Sequence, residues 1–466
     1  MSKDDKSYKA KNAWLEMEDE EREEVFKFNN EYKEFLEKNK TEREVTSRSI
    51  QMLKEEGFKN ISEVDSLKAG NKVFAVNRGR QLIASVIGKK DLKDGLKIVA
   101  AHMDSPRIDL KPNPLYEEGG LAYFGTHYYG GIKKFQWVTI PLALRGVVIK
   151  EDGTKVKINI GEKEDDPVFY ISDILPHLGK KQREKKMTEG INAQHLNLIV
   201  GSIPLKNDEE NDEGNKIKDA VLEYLAEEYD ITGEDLVSSD LQIVPADGVK
   251  DIGFDRAILG GYGHDDRVCS YTGLKALLDI NQPENTAITI LVDKEEIGSM
   301  GTTGMQSRFF ENFVAEMTDK YYKKYSDLDL RKILESSKSL SGDVNAAYDS
   351  NFSEVFDKRN AAFVNKGITL TKYTGARGKA GSSEASAEFV AEVRSLFNEA
   401  GVIWQAAELG KVDEGGGGTI AKFLANYNMD VIDAGPAVLS MHSPFELVGK
   451  IDVYHTYLAY LTFLEK

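Results

Sequence analysis

The chain reads as an α/β protein: a mainly parallel sheet with helices on both faces, interrupted by an inserted β-containing domain. Three observations carry that expectation. From about residue 241 onward, short apolar runs alternate with helical periodicities, as in strands covered by helices. Strand-like runs of the same kind, KVFAVNRG, QLIASVIG and LKIVAAHMD, precede residue 110. Between these regions the texture changes. FQWVTIPLALRGVVIKEDGTKVKINIGE carries β-branched, alternating runs divided by the turn EDGT, the pattern of an antiparallel β unit. At 466 residues the chain exceeds one ordinary hydrophobic core. The expected organisation is a first part over 1–110, an inserted domain over 111–240 and a second part over 241–466.

In chain order, residues from about 12 to 57 carry apolar positions at helical spacing. Thr41 and Glu44 stand at capping-box spacing and Gly57 is a natural stop. Within the insertion, KNDEENDEGNK (Lys206 to Lys216) reads as an exposed acidic loop without the ligand order of an EF-hand. Helical DAVLEYLAEEYD follows it. The later strand candidates are LQIVPA, TAITILVD, AAFVN, GVIWQAA and MDVIDAG. Helices are expected over SEASAEFVAEVRSLFNEAG and GTIAKFLANYN.

Composition narrows the function classes. With 61 basic against 78 acidic residues, the net charge of −17 argues against nucleic acid or an anionic membrane as a partner. The start, MSKDDKSYKAKNAW, lacks the apolar core of a signal peptide, and no run is long and apolar enough for a membrane span. A single cysteine, Cys269, permits neither an internal disulfide nor a cysteine-based zinc site. A cytoplasmic setting is expected, and any metal must be held by His and carboxylates.

Such residues stand where a ligand site is expected in an α/β sheet, beyond the carboxyl ends of strands. KIVAA is followed by His102 and Asp104; ITILV by Asp293, Glu295 and Glu296; the last strand candidate by GPAVLSMHSP with His442. GYGHDDRVCSY adds Asp265 and Asp266, and SGDVNAAYD adds Asp343. The run EGGGGT lacks the Lys-Ser/Thr of a P-loop, and no GxGxxG follows a strand. A pair of divalent ions needs a bridging carboxylate, further N and O ligands, and a base beside the attacking water. A metal-binding His also needs its second ring nitrogen fixed, which Asp104 can do for His102. Two adjacent glutamates suit a division of labour between ligand and base.

The segments AAHMDSPRIDLKPNP, GHDDRVCSYTG, LVDKEEIGSMGTTG, SGDVNAAYD, TKYTGARGKAGSSEAS and VIDAGPAVLSMHSPFELVGKIDVY resemble, in that order, the aspartyl aminopeptidase/aminopeptidase I family of dinuclear zinc metallopeptidases. The resemblance runs from about residue 12 to the end. It implies Asp265 as the bridging carboxylate, His102 and Asp343 on one metal, and Glu296 and His442 on the other. It implies Glu295 as general base and Asp104 as the orienting partner of His102. It also implies an inserted dimerisation domain, with dimers assembling into a tetrahedral dodecamer. Where aspartyl-specific relatives carry Asp-Asn, this chain has Asp265-Asp266.

For substrate contacts, ILPHLGKK loosely resembles the family segment that presents a His to the active site, which implies His177 as a group steadying the oxyanion, the alternative being an ordinary histidine of the insertion. Lys372 matches a substrate-pocket lysine of aspartyl-specific relatives, and it could equally bind a substrate terminus or sit in an ion pair. Gly415 to Gly418, Gly417 among them, let backbone amides approach substrate or form a flexible helix-start loop. The activity implied is a metalloaminopeptidase acting on peptides with a free N-terminus. It would use two divalent ions per subunit, zinc first, with cobalt or manganese also compatible with the ligands. A deacylase with the same site is the alternative, and a non-catalytic self-assembling scaffold a third.

Overall fold

A computed structural model describes residues 8–206 and 216–466. Their contacts divide the chain into two compact units. The first is made of Met1–Asp104, Val249–Met441 and Glu446–Lys466; the second of Ser105–Gly248 and His442–Phe445.

The first unit is built on a nine-stranded sheet. Four neighbouring strands at its centre, Thr286–Val292, Leu96–His102, Lys338–Ser341 and Asp430–Gly435, run parallel. The first two of these are buried along their whole length, which is why they read as unbroken apolar runs. Alternate side chains enter two separate cores. Val99 and Ala101 pack with Leu274, Leu277, Tyr460 and Phe463, from the helices His264–Leu278 and Lys450–Glu465. Ile98 and Ala100 pack with Phe310, Phe313, Val314 and Ile333, from the helices Phe309–Tyr322 and Asp327–Glu335. A sheet covered on both faces is therefore correct.

The expectation of a mainly parallel sheet is not borne out: the sheets are mixed or antiparallel. Lys72–Asn77 and Gln81–Val86 are antiparallel because only Arg78, Gly79 and Arg80 join them, too short a link for a parallel crossover. Arg78 and Gly79 both take positive φ to close that turn. Gln81–Val86 then pairs antiparallel with Thr286–Val292, and Ile368–Thr371 antiparallel with Asp430–Gly435. A second, five-stranded sheet of this unit is also largely antiparallel.

Other expectations divide in the same way. The first helical stretch resolves into helices Asp19–Lys38 and Glu42–Glu55, and the Thr41–Glu44 capping box closes reciprocally. AAFVN is not a strand; Ala362 makes only an isolated bridge to Ala347. The strand falls instead on Ile368–Thr371. GTIAKFLANYN forms only the short helix Ala421–Ala425.

The second unit is a six-stranded antiparallel sheet with the helix Lys216–Tyr229. Its hairpin Leu142–Ile149/Lys155–Ile160 carries the EDGT turn. The hairpin Arg107–Glu118/Leu121–Tyr129 turns on Gly119 and Gly120, both at positive φ, as a two-residue hairpin loop requires. The acidic stretch expected to be a loop falls on residues 207–215, outside the described residues.

Candidate metal centre

His102 is the last residue of its strand, and backbone and side chains fix it on every side. Its amide donates to Asp266 Oδ2 at 3.3 Å, and its carbonyl accepts from Ser270 Oγ at 2.6 Å. Its Nδ1 lies 2.9 Å from the backbone carbonyl oxygen of Asp104. A carbonyl can only accept, so Nδ1 carries a proton and Nε2 is the nitrogen left to face a metal. That Nε2 stands 3.3 Å from Asp265 Oδ1.

Asp265 and Asp266 open the helix His264–Leu278 with non-helical backbone angles after Gly263 at φ 74°, and the peptide bond between them is cis. The Asp265 amide donates to buried Glu446 Oε2 at 3.0 Å. Asp343 arrives from the strand Lys338–Ser341 through Gly342, whose amide donates to Ala100 O at 2.6 Å. A Cβ on Gly342 would come within 2.8 Å of the Tyr460 hydroxyl, so only glycine lets the chain pass this close to the helix.

Glu295 and Glu296 lie on a single helical turn, Glu295–Ile297, bounded by left-handed residues Lys294 and Gly298. Asp104 holds that turn. Its Oδ1 accepts from the Glu295 amide at 3.1 Å and its Oδ2 from the Glu296 amide at 3.2 Å. The Asp104 carboxylate is 3.4 Å from His102 Nδ1, so the shorter contact to the imidazole is through the Asp104 backbone.

Two groups of ligand atoms result, each within 4.8 Å: His102, Asp265 and Glu296; and Asp265, Asp266 and Asp343. Asp265 belongs to both. His102 thus falls in a group with Glu296, and Asp343 in one with Asp266, a residue for which the family resemblance implied no ligand role. Its place beside Asp265 in an acidic doublet was the available signal.

The electrostatics fit a cation. Burial pushes the Asp266 carboxyl well above its usual range despite the opposing His102 charge. Burial and then Asp266 push Asp343 up as well. Burial works against a charged His102, but its hydrogen bonds to Asp104 and Asp265 outweigh that and raise its pKa well above the usual value. Crowded buried carboxylates around an imidazole are costly without a positive charge among them. The donor set is the oxygen and nitrogen one that zinc accepts.

The remaining residues are less tightly built. His442 lies in the second unit, with Nδ1 2.9 Å from the Gly131 carbonyl oxygen, so its Nε2 is the lone-pair nitrogen. His177 is exposed on a turn of the same unit. Lys372 follows the strand Ile368–Thr371, 3.7 Å from Glu384, which Lys379 contacts at 2.9 Å. Gly417 is exposed, in an irregular stretch before the helix Ala421–Ala425.

A histidine and carboxylates gathered at the ends of strands in a helix-covered sheet define a metal-dependent hydrolase type of site. Residues 35–464 match the family described as aminopeptidase I zinc metalloprotease (M18). A probable M18 family aminopeptidase 1 of Clostridium acetobutylicum is 51% identical over 458 residues, covering 97% of this chain and 98% of that protein. The crystal structure of an M18 aminopeptidase from Thermotoga maritima superposes with TM-score 0.94 at 47% identity, covering 99% of this chain and 100% of that one. The mApe1 dodecamer of S. cerevisiae superposes with TM-score 0.74 at 25% identity, covering 93% and 95%. The chain belongs to the M18 family of zinc metalloproteases, and it is an aminopeptidase, a hydrolase of peptide bonds.

Proposed function

We propose that this aminopeptidase works through a dinuclear zinc centre, for which Asp265 would be the shared ligand and Glu295 the general base. The observation that carries the reading is the membership of Asp265 in both ligand groups, since two cations at close range need a carboxylate between them. His102, Glu296 and Asp343 would serve as further ligands, with His442 added by the family resemblance alone; cobalt or manganese is compatible with the same donors. When bound, the metal supplies Lewis acidity and makes water a nucleophile near neutral pH.

Each further step falls to the protein. Asp104 fixes the turn that carries both glutamates. Glu295 takes the proton of the attacking water and returns it to the leaving amine. His177, Lys372 and the amides around Gly417 contact substrate, which is a peptide with a free N-terminus. The second unit is a dimerisation domain. Its exposed apolar side chains Val168, Tyr170, Ile174, Leu175, Leu178 and Met187 support that role, and the yeast relative's dodecamer supports a twelve-subunit assembly, whose tetrahedral arrangement rests on the family resemblance alone. The setting is cytoplasmic; among the described residues no helix is long and apolar enough to cross a membrane.

The test pairs two variants with metal analysis. Glu295→Gln should keep its zinc and lose about 10²–10⁴ in kcat, whereas Asp265→Ala should lose zinc. Near wild-type turnover by Glu295→Gln would remove it as base. Free-amine and N-blocked peptides run side by side separate an aminopeptidase pocket from one that accepts acylated substrates.

A further inference from the structure

Two residues before Glu295, Asp293 is fully buried, and it is held from outside its own segment. Arg80 Nε lies 3.0 Å from Asp293 Oδ2, and Arg80 Nη2 lies 2.8 Å from Glu42 Oε1; both carboxylates have no exposed side-chain surface. Thr303 Oγ1 donates to Asp293 Oδ2 at 2.8 Å and the Asp293 amide to Thr303 O at 3.2 Å, so Asp293 ties the two ends of its loop together. The hairpin turn that carries Arg80 makes two further contacts to the same region. Asn77 Nδ2 donates to Thr302 O at 2.6 Å, and Ser307 Oγ donates to Gln81 Oε1 at 3.3 Å.

The loop needs such support. Lys294 and Ser299 both take left-handed backbone angles, φ 70° and 60°, which non-glycine residues hold only where their surroundings impose them. The supports are rigid. Glu42 begins a helix closed by its capping box, and Asn77 and Gln81 end paired strands.

We infer that the hairpin turn Asn77–Gln81 braces the Glu295–Glu296 turn, with Arg80 as a positioning residue that fixes where the Glu295 carboxylate stands. The inference rests on the reading of Glu295 as base. Asp104 grips the turn by its amides, while Arg80 anchors the loop that leads into it. A shift of about 1 Å in a reacting group is enough to cost roughly 10²-fold in rate, so a brace that touches no substrate still governs turnover.

The experiment uses the full-length zinc-loaded enzyme with Arg80→Met, Arg80→Lys and Asn77→Ala. It reads kcat, KM, zinc content and amide hydrogen exchange. Arg80→Met is expected to lower kcat about 10²-fold with KM and zinc unchanged. Exchange should quicken over 293–304 while the strand Leu96–His102 stays protected, and Arg80→Lys should recover most of the loss. If Arg80→Met does not fold, Asn77→Ala decides, because it leaves the ion pairs intact. Faster exchange over 293–304 with reduced kcat supports the brace. Unchanged exchange, unchanged kcat in a folded variant, or a kcat loss that only follows zinc loss overturns it. Glu295→Gln run alongside keeps the two readings apart. Full activity there fails the base whatever Arg80 does; an inactive Glu295→Gln beside an unaffected Arg80→Met fails the brace alone.

Discussion

The carboxylate of Asp104 reaches the backbone of Glu295, accepting its amide at 3.1 Å, and does the same for Glu296 at 3.2 Å. The His102 imidazole takes its shorter contact, 2.9 Å, from the Asp104 carbonyl. One residue thus serves the two glutamates and the imidazole through different atoms, and substitution can separate these roles. Asp104→Asn keeps the carbonyl but presents an amide N–H to one of the two donors. Zinc content should stay near wild type while kcat falls about 10²-fold through misplacement of the glutamates. Parallel loss of zinc would mean that the carboxylate, and not the backbone, orients His102.

The contribution of Asp266 differs in kind. Its Oδ2 holds the His102 amide at 3.3 Å, and its carboxylate belongs to the group with Asp265 and Asp343. Asp266→Asn retains an acceptor for that amide and removes a negative charge from the group. Zinc affinity, measured by competition with a chelator, should fall while thermal stability of the zinc-free protein holds or rises, since a crowded buried carboxylate is gone. An unchanged zinc affinity would make Asp266 a purely structural partner of His102.

The ends of the central strands were legible in the sequence because buried apolar runs stop abruptly on polar, metal-competent residues: Ala101 then His102, Val292 then Asp293. Strand direction was less so. The link Arg78–Gly79–Arg80 is short enough for a hairpin, whereas strand–helix alternation, which speaks for parallel strands, holds only in other parts of the chain. AAFVN had strand composition and yet pairs only at Ala362, because neighbours, not propensity, select a strand. The pairings of Arg80 with Glu42 and Asp293 join three distant segments, and no local pattern signals them.

The exposed leucines of the second unit bear on assembly. Leu175 and Leu178 are 49% and 68% exposed, so replacing both by glutamate removes little from the folded core. If this surface pairs two copies, light scattering should register smaller particles at an unchanged circular dichroism spectrum. A particle of wild-type mass would place the dimer contact elsewhere.

His455 supplies a prediction about acid. Burial pushes its pKa down to about 4, and its Nδ1 accepts the Ile403 amide at 3.2 Å, so the folded protein keeps it neutral. The unfolded chain protonates it near pH 6.5. Between about pH 6.5 and 4 the unfolded state therefore holds the extra proton, and stability falls as pH falls. The contribution is fully present above that window and amounts to roughly 2 kcal/mol lost by pH 5. His455→Gln keeps an acceptor for the amide but has no titrating group. Its stability should decline less than that of wild type between pH 7 and pH 5, whatever its starting value. Denaturant titrations of both proteins at the two pH values measure the difference, and parallel declines would mean that His455 is protonated in the folded state.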